Sequence, residues 1–331
     1  MHYRLKSGIF TLSPGFTAHA YNSKNKQLSV NYTNSFFKLL PDFNAIIQLK
    51  KSESIRFNYA MRTQFTDVSK IAQGLVLNNY NSIFSGDNEI QNAISHSFNL
   101  NYFSFNLFNY TNIFARISYN KSIDQIRNLT TFESVVASSS PFNSPFADEN
   151  FSANGRFQRQ FGKIRASLSS GINFSKFNQY ISDINNPSIS ENFSQNYGAT
   201  VRTSFKEAPN VELGYNYSLT NNILGNVESK FYTKAPFIDV DALILKSFTF
   251  RSRYTNNSFS NERAVLNKYE FWDASLAYKK DEDSKWEFEL KATNLLNTKS
   301  QNQSNTGNIS ISSTEYFIQP RFITFRLVYD L

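Results

Sequence analysis

Residues Gln319–Leu331 read QPRFITFRLVYDL, and the order of side chains in that stretch decides the fold. Counted back in steps of two, Leu331, Tyr329, Leu327, Phe325 and Ile323 are apolar, whereas Asp330, Arg326 and Thr324 stand between them. A period of two puts the two sets on opposite faces of a β-strand. The alternation recurs in WEFELKATNLLN (286–297), where Trp286, Phe288, Leu290 and Ala292 oppose Glu287, Glu289, Lys291 and Thr293. FWDASLAYKK (271–280), FTFRSRY (248–254) and VELGYNYSL (211–219) repeat it, as do the runs around Val201, Ile172 and Phe57. Each run is roughly ten residues long, about twice a globular strand and equal to a tilted membrane strand of about 9–11 residues.

Composition agrees with an all-β chain: 33 Phe and 18 Tyr against 2 Trp, 2 Met and no Cys suit pleated, half-buried surfaces. Mean hydropathy is −0.44, and no run approaches the roughly 18 apolar residues that a spanning helix needs. The net charge of +8 is spread along the chain instead of gathered into a block, which argues against nucleic acid. Without cysteine there is neither a disulfide nor a thiolate site. The opening MHYRLKSGIFTLSPG has no apolar segment ending in a small-residue cleavage site, so no secretory signal is read there.

Between the runs, short connections (50–54, 161–163, 206–210, 279–284) alternate with long polar ones (66–92, 127–148, 179–192, 258–268, 298–313). Short turns at one end and long loops at the other are the pattern of outer-membrane barrels. The expected architecture is an antiparallel transmembrane β-barrel meander of about fourteen strands, forming a single domain over residues 1–331, with Leu331 at the short-turn side. A soluble β-sandwich alternates in the same way. Strand length and charges held mid-strand in several strands together favour the membrane wall.

ELKATNLLNTKSQ followed by YFIQPRFITFRLVYDL resembles the last two strands of TonB-dependent outer-membrane receptors. Asn294, Leu295, Leu296 and Asn297 match that family's Asn-Leu element, Pro320 and Arg321 match the opening of its final strand, and Phe325, Leu327 and Tyr329 match the alternation that closes it. The resemblance implies a 22-stranded barrel with an N-terminal plug that takes up a scarce nutrient, such as a metal chelate or oligosaccharide. Its partners would be outer-membrane lipid, the barrel-assembly machinery and the TonB complex, which is reached through a plug that this chain does not carry. The chain therefore reads as the C-terminal portion of such a barrel or as a smaller closed barrel. A passive porin-like or structural outer-membrane barrel is the alternative function.

No catalytic constellation is read, and no cofactor or metal is expected. His2, His19 and His96 are isolated, His96 in SHSF makes no convincing Ser–His pair, and no nucleophile elbow or phosphate-cradling loop occurs. The acidic run Asp281, Glu282 and Asp283 sits in an expected turn, where a solvated run outweighs a Ca²⁺ site. Arg56, Arg62, Arg202, Arg251, Arg253 and Arg326 all fall opposite the apolar face, because arginine on a lipid face costs about 2–4 kcal/mol at the midplane. They are the candidate ligand-binding, lumen-facing residues; the competing reading pairs them with lumenal carboxylates. Tyr59, Phe174, Tyr217, Trp272, Trp286 and Tyr329 suit interfacial girdles, and Tyr80, Phe84, Phe142, Phe146 and Tyr180 lie in expected outer loops.

Overall fold

The computed structural model describes residues 2–27, 29–181, 185–206, 209–281, 283–306 and 311–329. In chain order the elements are β1 (Leu5–Ser7), β2 (Phe10–Gln27), β3 (Val30–Lys50), β4 (Glu53–Gln64), the one-turn helix α1 (Val68–Ile71), β5 (Leu75–Asn79), β6 (Ser82–Ser85), β7 (Ala93–Asn106) and β8 (Thr111–Ile123). They continue with β9 (Ile126–Glu133), β10 (Val136–Asn143), β11 (Asp148–Phe161), β12 (Ile164–Ile181), β13 (Ser188–Thr203), β14 (Asn210–Leu224), β15 (Val227–Ile244) and β16 (Phe248–Asn261). The last are β17 (Val265–Lys279), β18 (Trp286–Thr293), β19 (Ser300–Thr306), β20 (Ile311–Phe317) and β21 (Phe322–Tyr329).

Fourteen of these strands pair side by side as one antiparallel meander, in the order β2, β3, β4, β7, β8, β11 to β18 and β21. Among the described residues β21 pairs with β18 alone, and no ladder joins it to the first strands, so the sheet is open. The position of Leu331 lies outside the described residues.

Register carries the alternation of each strand into its neighbour. Ile323, Phe325, Leu327 and Tyr329 stand opposite Ala292, Leu290, Phe288 and Trp286, which in turn face Ala274, Leu276 and Tyr278. Farther along the sheet, Phe43, Tyr59, Phe98, Tyr119, Phe151, Phe174 and Phe193 are successive partners across seven strands. Two residues nearer the long-loop end, His96, Lys121, Glu149, Lys176 and Glu191 form the next row on the same face, with Lys121–Glu149 at 3.9 Å and Lys176–Glu191 at 3.3 Å. The apolar face thus carries an aromatic row edged by a charged one.

Among the described residues no second layer covers this apolar face. Phe325 keeps 66% of its surface exposed and Leu327 51%, and the buried apolar residues reduce to Leu40, Ile90, Ala93, Ile94, Tyr180, Phe231 and Ala242 among those described. The chain exposes 21588 Å², whereas a compact monomer of 38.1 kDa exposes about 14,000 Å². A sandwich buries one face of each sheet against the other; this sheet leaves both faces open.

Strand extends into two of the expected long loops from both sides. β12 continues to Ile181 with β13 starting at Ser188, and β16 to Asn261 with β17 starting at Val265. Where both faces are polar the period of two disappears from the sequence, although the backbone ladder continues. The segments 66–92 and 124–147 do leave the sheet, and they fold together at its long-loop end. There β10 pairs with β6 in parallel as well as with β9, and Tyr180 and Ile181 of β12 pair with Leu129 and Thr130 of β9. Arg127 pairs with Asp148, and buried Ser144 and Tyr180 share a hydrogen bond. Phe142 meets the Tyr180 ring edge-on at 4.7 Å, whereas Tyr80 remains 91% exposed. In α1 the Asp67 carboxylate accepts the Ser69 N–H as N-cap, which holds it below its ordinary pKa.

Two glycines separate close packing from open space. A Cβ on Gly214 would stand 2.1 Å from the Phe237 ring of the neighbouring strand, whereas one on Gly155 would meet its nearest neighbour, the Phe114 carbonyl oxygen, at 3.9 Å. Gly214→Ala is therefore expected to lower stability by about 1–3 kcal/mol, and Gly155→Ala to leave it unchanged or raise it by about 0.5 kcal/mol. Urea titrations in detergent, with both variants against the parent, read the difference.

Candidate functional site: the polar face

The face opposite the apolar one is divided into two electrostatically different halves. In β13 to β21 every candidate arginine has a carboxylate partner. Arg202 lies 3.4 Å from Glu212 and 3.3 Å from Asp241, Arg251 is 3.8 Å from the same Asp241, and Arg253 is 3.4 Å from Asp239. Arg326 meets Glu289 at 2.9 Å across the last ladder. Arg202, Arg251 and Arg253 with their carboxylates, together with Asp273 and Lys291, line a shallow cleft of about 320 Å³. The register explains the order, because Asp239 and Asp241 on β15 stand directly opposite Arg253 and Arg251 on β16. The arginine side chains are 47–70% exposed, so each pair contributes only about 0.2–1 kcal/mol. Their effect is to cancel charge and set register.

In β4 to β12 the balance differs. Arg56 and Arg62 take part in no ion pair among the described residues, and the same holds for Arg116, Arg156 and Arg165. Arg116 donates to Asn99 at 3.1 Å and Arg156 approaches Gln158 at 3.5 Å, both neutral amides. Alternation turns Glu53 and Glu149 to the opposite face, which leaves Asp148, itself paired with Arg127, as the carboxylate on this side of β4 to β12. Arg116 and Arg156 were missed from sequence. The signal for Arg116 was present as polar-face positions over residues 54–123 of the meander strands that contain Arg and Asn but no Asp or Glu.

The closing motif acts through the backbone. Asn294 and Asn297 adopt left-handed φ of 52° and 55°, where asparagine is tolerated better than most residues. The buried Asn294 amide donates to the Thr298 carbonyl at 2.8 Å and the Gln319 carbonyl at 3.0 Å, while its oxygen accepts from Thr298 N–H at 2.8 Å. Its own N–H reaches Asp273 at 2.8 Å, Leu295 N–H reaches the Trp272 carbonyl at 2.8 Å, and Asn297 accepts from Arg321 N–H at 3.2 Å. One asparagine thus ties the exit of β18 to β17 and to the entry of β21. Leu296 remains 44% exposed.

The remaining candidates do not assemble. His96 accepts or donates to the Tyr59 hydroxyl at 3.0 Å on the apolar side, His2 lies 3.4 Å from Asp42, and His19 packs edge-on to Tyr21. Among the described residues no group of three or more His, Asp or Glu is placed to hold a metal ion. Asp281 accepts from Ser284 N–H in the β17–β18 turn, and Glu282 lies outside the described residues. No protein-family profile and no curated protein sequence matches the chain.

Asn294→Ala is expected to cost about 1–3 kcal/mol by removing the three hydrogen bonds of this buried amide and leaving the Thr298 and Gln319 carbonyls without it. Asn294→Gly relieves the backbone but not those carbonyls and falls between Ala and the parent. Removing both Arg326 and Glu289 is expected to reveal a coupling of about 0.2–1 kcal/mol in a double-mutant cycle. Equilibrium unfolding measures both.

Proposed function

We propose that this chain forms part of the wall of an outer-membrane β-barrel of the TonB-dependent receptor type, acting in ligand uptake and not in catalysis. One observation carries the reading: a single sheet keeps a largely apolar face in register from strand to strand, and among the described residues nothing covers it. In water such a face is unstable, whereas acyl tails cover it without a second layer. The eleven residues from Ile164 to Phe174 cover about 33 Å of strand, which at a tilt near 40° gives about 25 Å of height, the apolar band of a barrel. The receptor type rests on the likeness of Asn294–Asn297 and Pro320–Arg321 to that family's closing strands. Localisation in the cell outer membrane, barrel-assembly machinery as folding partner, and coupling to TonB through a plug follow from that reading.

The passive alternative, a porin-like or structural barrel made by these strands alone, requires β21 to pair with the first strands. No such ladder exists among the described residues, which favours the receptor reading.

Because the chain has no cysteine, single cysteines can be placed without background. In bilayers, cysteines replacing Phe325, Leu290 and Leu276 are expected to resist water-soluble maleimide and to respond to lipid-phase quenchers when spin- or fluorophore-labelled. Cysteines replacing Arg326, Thr324 and Ser275 should label rapidly from water. Equal labelling on both faces, or a chain that stays in solution without detergent, would refute the membrane reading.

A further inference from the structure

The division of the polar face into a balanced and an unbalanced half points to a ligand class. Arg56, Asn101, Arg116 and Asn154 are successive register partners on β4, β7, β8 and β11. The next row on the same face is Ser54, Phe103, Phe114 and Arg156. Strand spacing places the Arg56 and Arg116 backbones about 10 Å apart, and Arg116 and Arg156 are diagonal neighbours at about 7–8 Å. All three guanidinium groups are exposed, and Phe103 and Phe114 beside them keep 45% and 41% of their surface open. Phe237 and Phe271 also fall on the polar side of the sheet but are half-buried, whereas Phe103 and Phe114 are exposed there. These two give the patch an apolar floor between its cations.

A guanidinium left without a carboxylate, while equivalent ones nearby are neutralised by Glu212, Asp239, Asp241 and Glu289, retains its capacity for charge-assisted, bidentate hydrogen bonds. We propose that Arg56, Arg116 and Arg156, with Phe103 and Phe114, bind a small solute that carries several anionic groups on a flat apolar body. This deepens the uptake reading and rests on it only for the claim that the polar face meets water inside the wall. The carboxylates and sulfonates or phosphates of the solute would chelate the guanidinium forks, Asn101 and Asn154 would supply neutral hydrogen bonds, and the two rings would cover its face. Arg202, Arg251, Arg253 and Arg326 take no part.

The test uses pyranine, a pyrene trisulfonate, titrated by fluorescence anisotropy with the whole folded chain in zwitterionic detergent at low salt. Saturable binding displaced by inorganic pyrophosphate is expected. The variant Arg56→Gln/Arg116→Gln/Arg156→Gln should bind at least about tenfold more weakly, because it loses the charge-assisted hydrogen bonds of all three guanidinium groups. Arg202→Gln/Arg251→Gln/Arg326→Gln removes the same formal charge and should leave affinity unchanged; far-ultraviolet circular dichroism establishes that both variants remain folded. Equal weakening by the two variants would show nonspecific attraction to net charge and overturn the assignment. So would binding that persists in the first variant, or displacement by an acidic peptide but not by pyrophosphate. The cysteine labelling of Phe325 and Arg326 reads the sidedness of the wall separately, so a failed titration with correct sidedness removes the anion site alone.

Discussion

Each strand of the meander takes its backbone partners from the side, which leaves its two faces to be satisfied by whatever lies above and below the sheet. Among the described residues no helix or second sheet supplies that cover. The short helix α1 and the strands β5, β6, β9 and β10 gather at one end and touch the sheet only at its rim. Two other properties follow from this single-layer constraint: the large exposed area and the small number of buried side chains. At about 25 cal/mol per Å², each 1,000 Å² of apolar surface removed from water is worth about 25 kcal/mol. That exceeds the usual 5–15 kcal/mol net stability of a folded domain, so the environment of this face determines whether the fold persists.

The same accounting applies to the backbone. Along the outer side of β21 every second N–H and C=O lacks a partner among the described residues, and the long-loop part of β2 is in the same position. In hydrocarbon an unpaired peptide group costs several kcal/mol. A sheet that faces acyl tails must therefore meet further strands at both edges before it can enter the bilayer. Water tolerates such edges only where charge or proline discourages pairing; β21 carries Arg326 as its one charged residue, on the polar face.

Much of this was legible in sequence. The period of two in WEFELKAT and FITFRLVY shows which side chains share a face, and the register keeps them together across the β17–β18 and β18–β21 ladders. The count of about fourteen strands agrees with the fourteen that pair. What was illegible has two physical causes. Beyond the apolar band both faces are polar, so the ends of β12, β13, β16 and β17 have strand backbones without strand patterning. Ion pairing depends on neighbours brought opposite by register, so a linear reading groups Arg56 with Arg326, although one stands among asparagines and the other against Glu289.

The parallel contacts among the outer segments arise from the same cause. β6, β9 and β10 are short and half-exposed, and their pairing is set by where the ends of β4, β8 and β12 deliver the chain, with Arg127–Asp148 and Ser144–Tyr180 holding the junction. Asn294 does at the other long connection what those pairs do here, replacing several local preferences with one bonded side chain. The long-loop end is thus organised by polar side chains that fix the paths of excursions, whereas the wall is organised by alternation alone. The two halves of the polar face then differ for a simple reason. Where carboxylates alternate with arginines across neighbouring strands the wall is electrically closed, and where asparagine and serine replace them its positive charge remains directed at whatever occupies the water beside it.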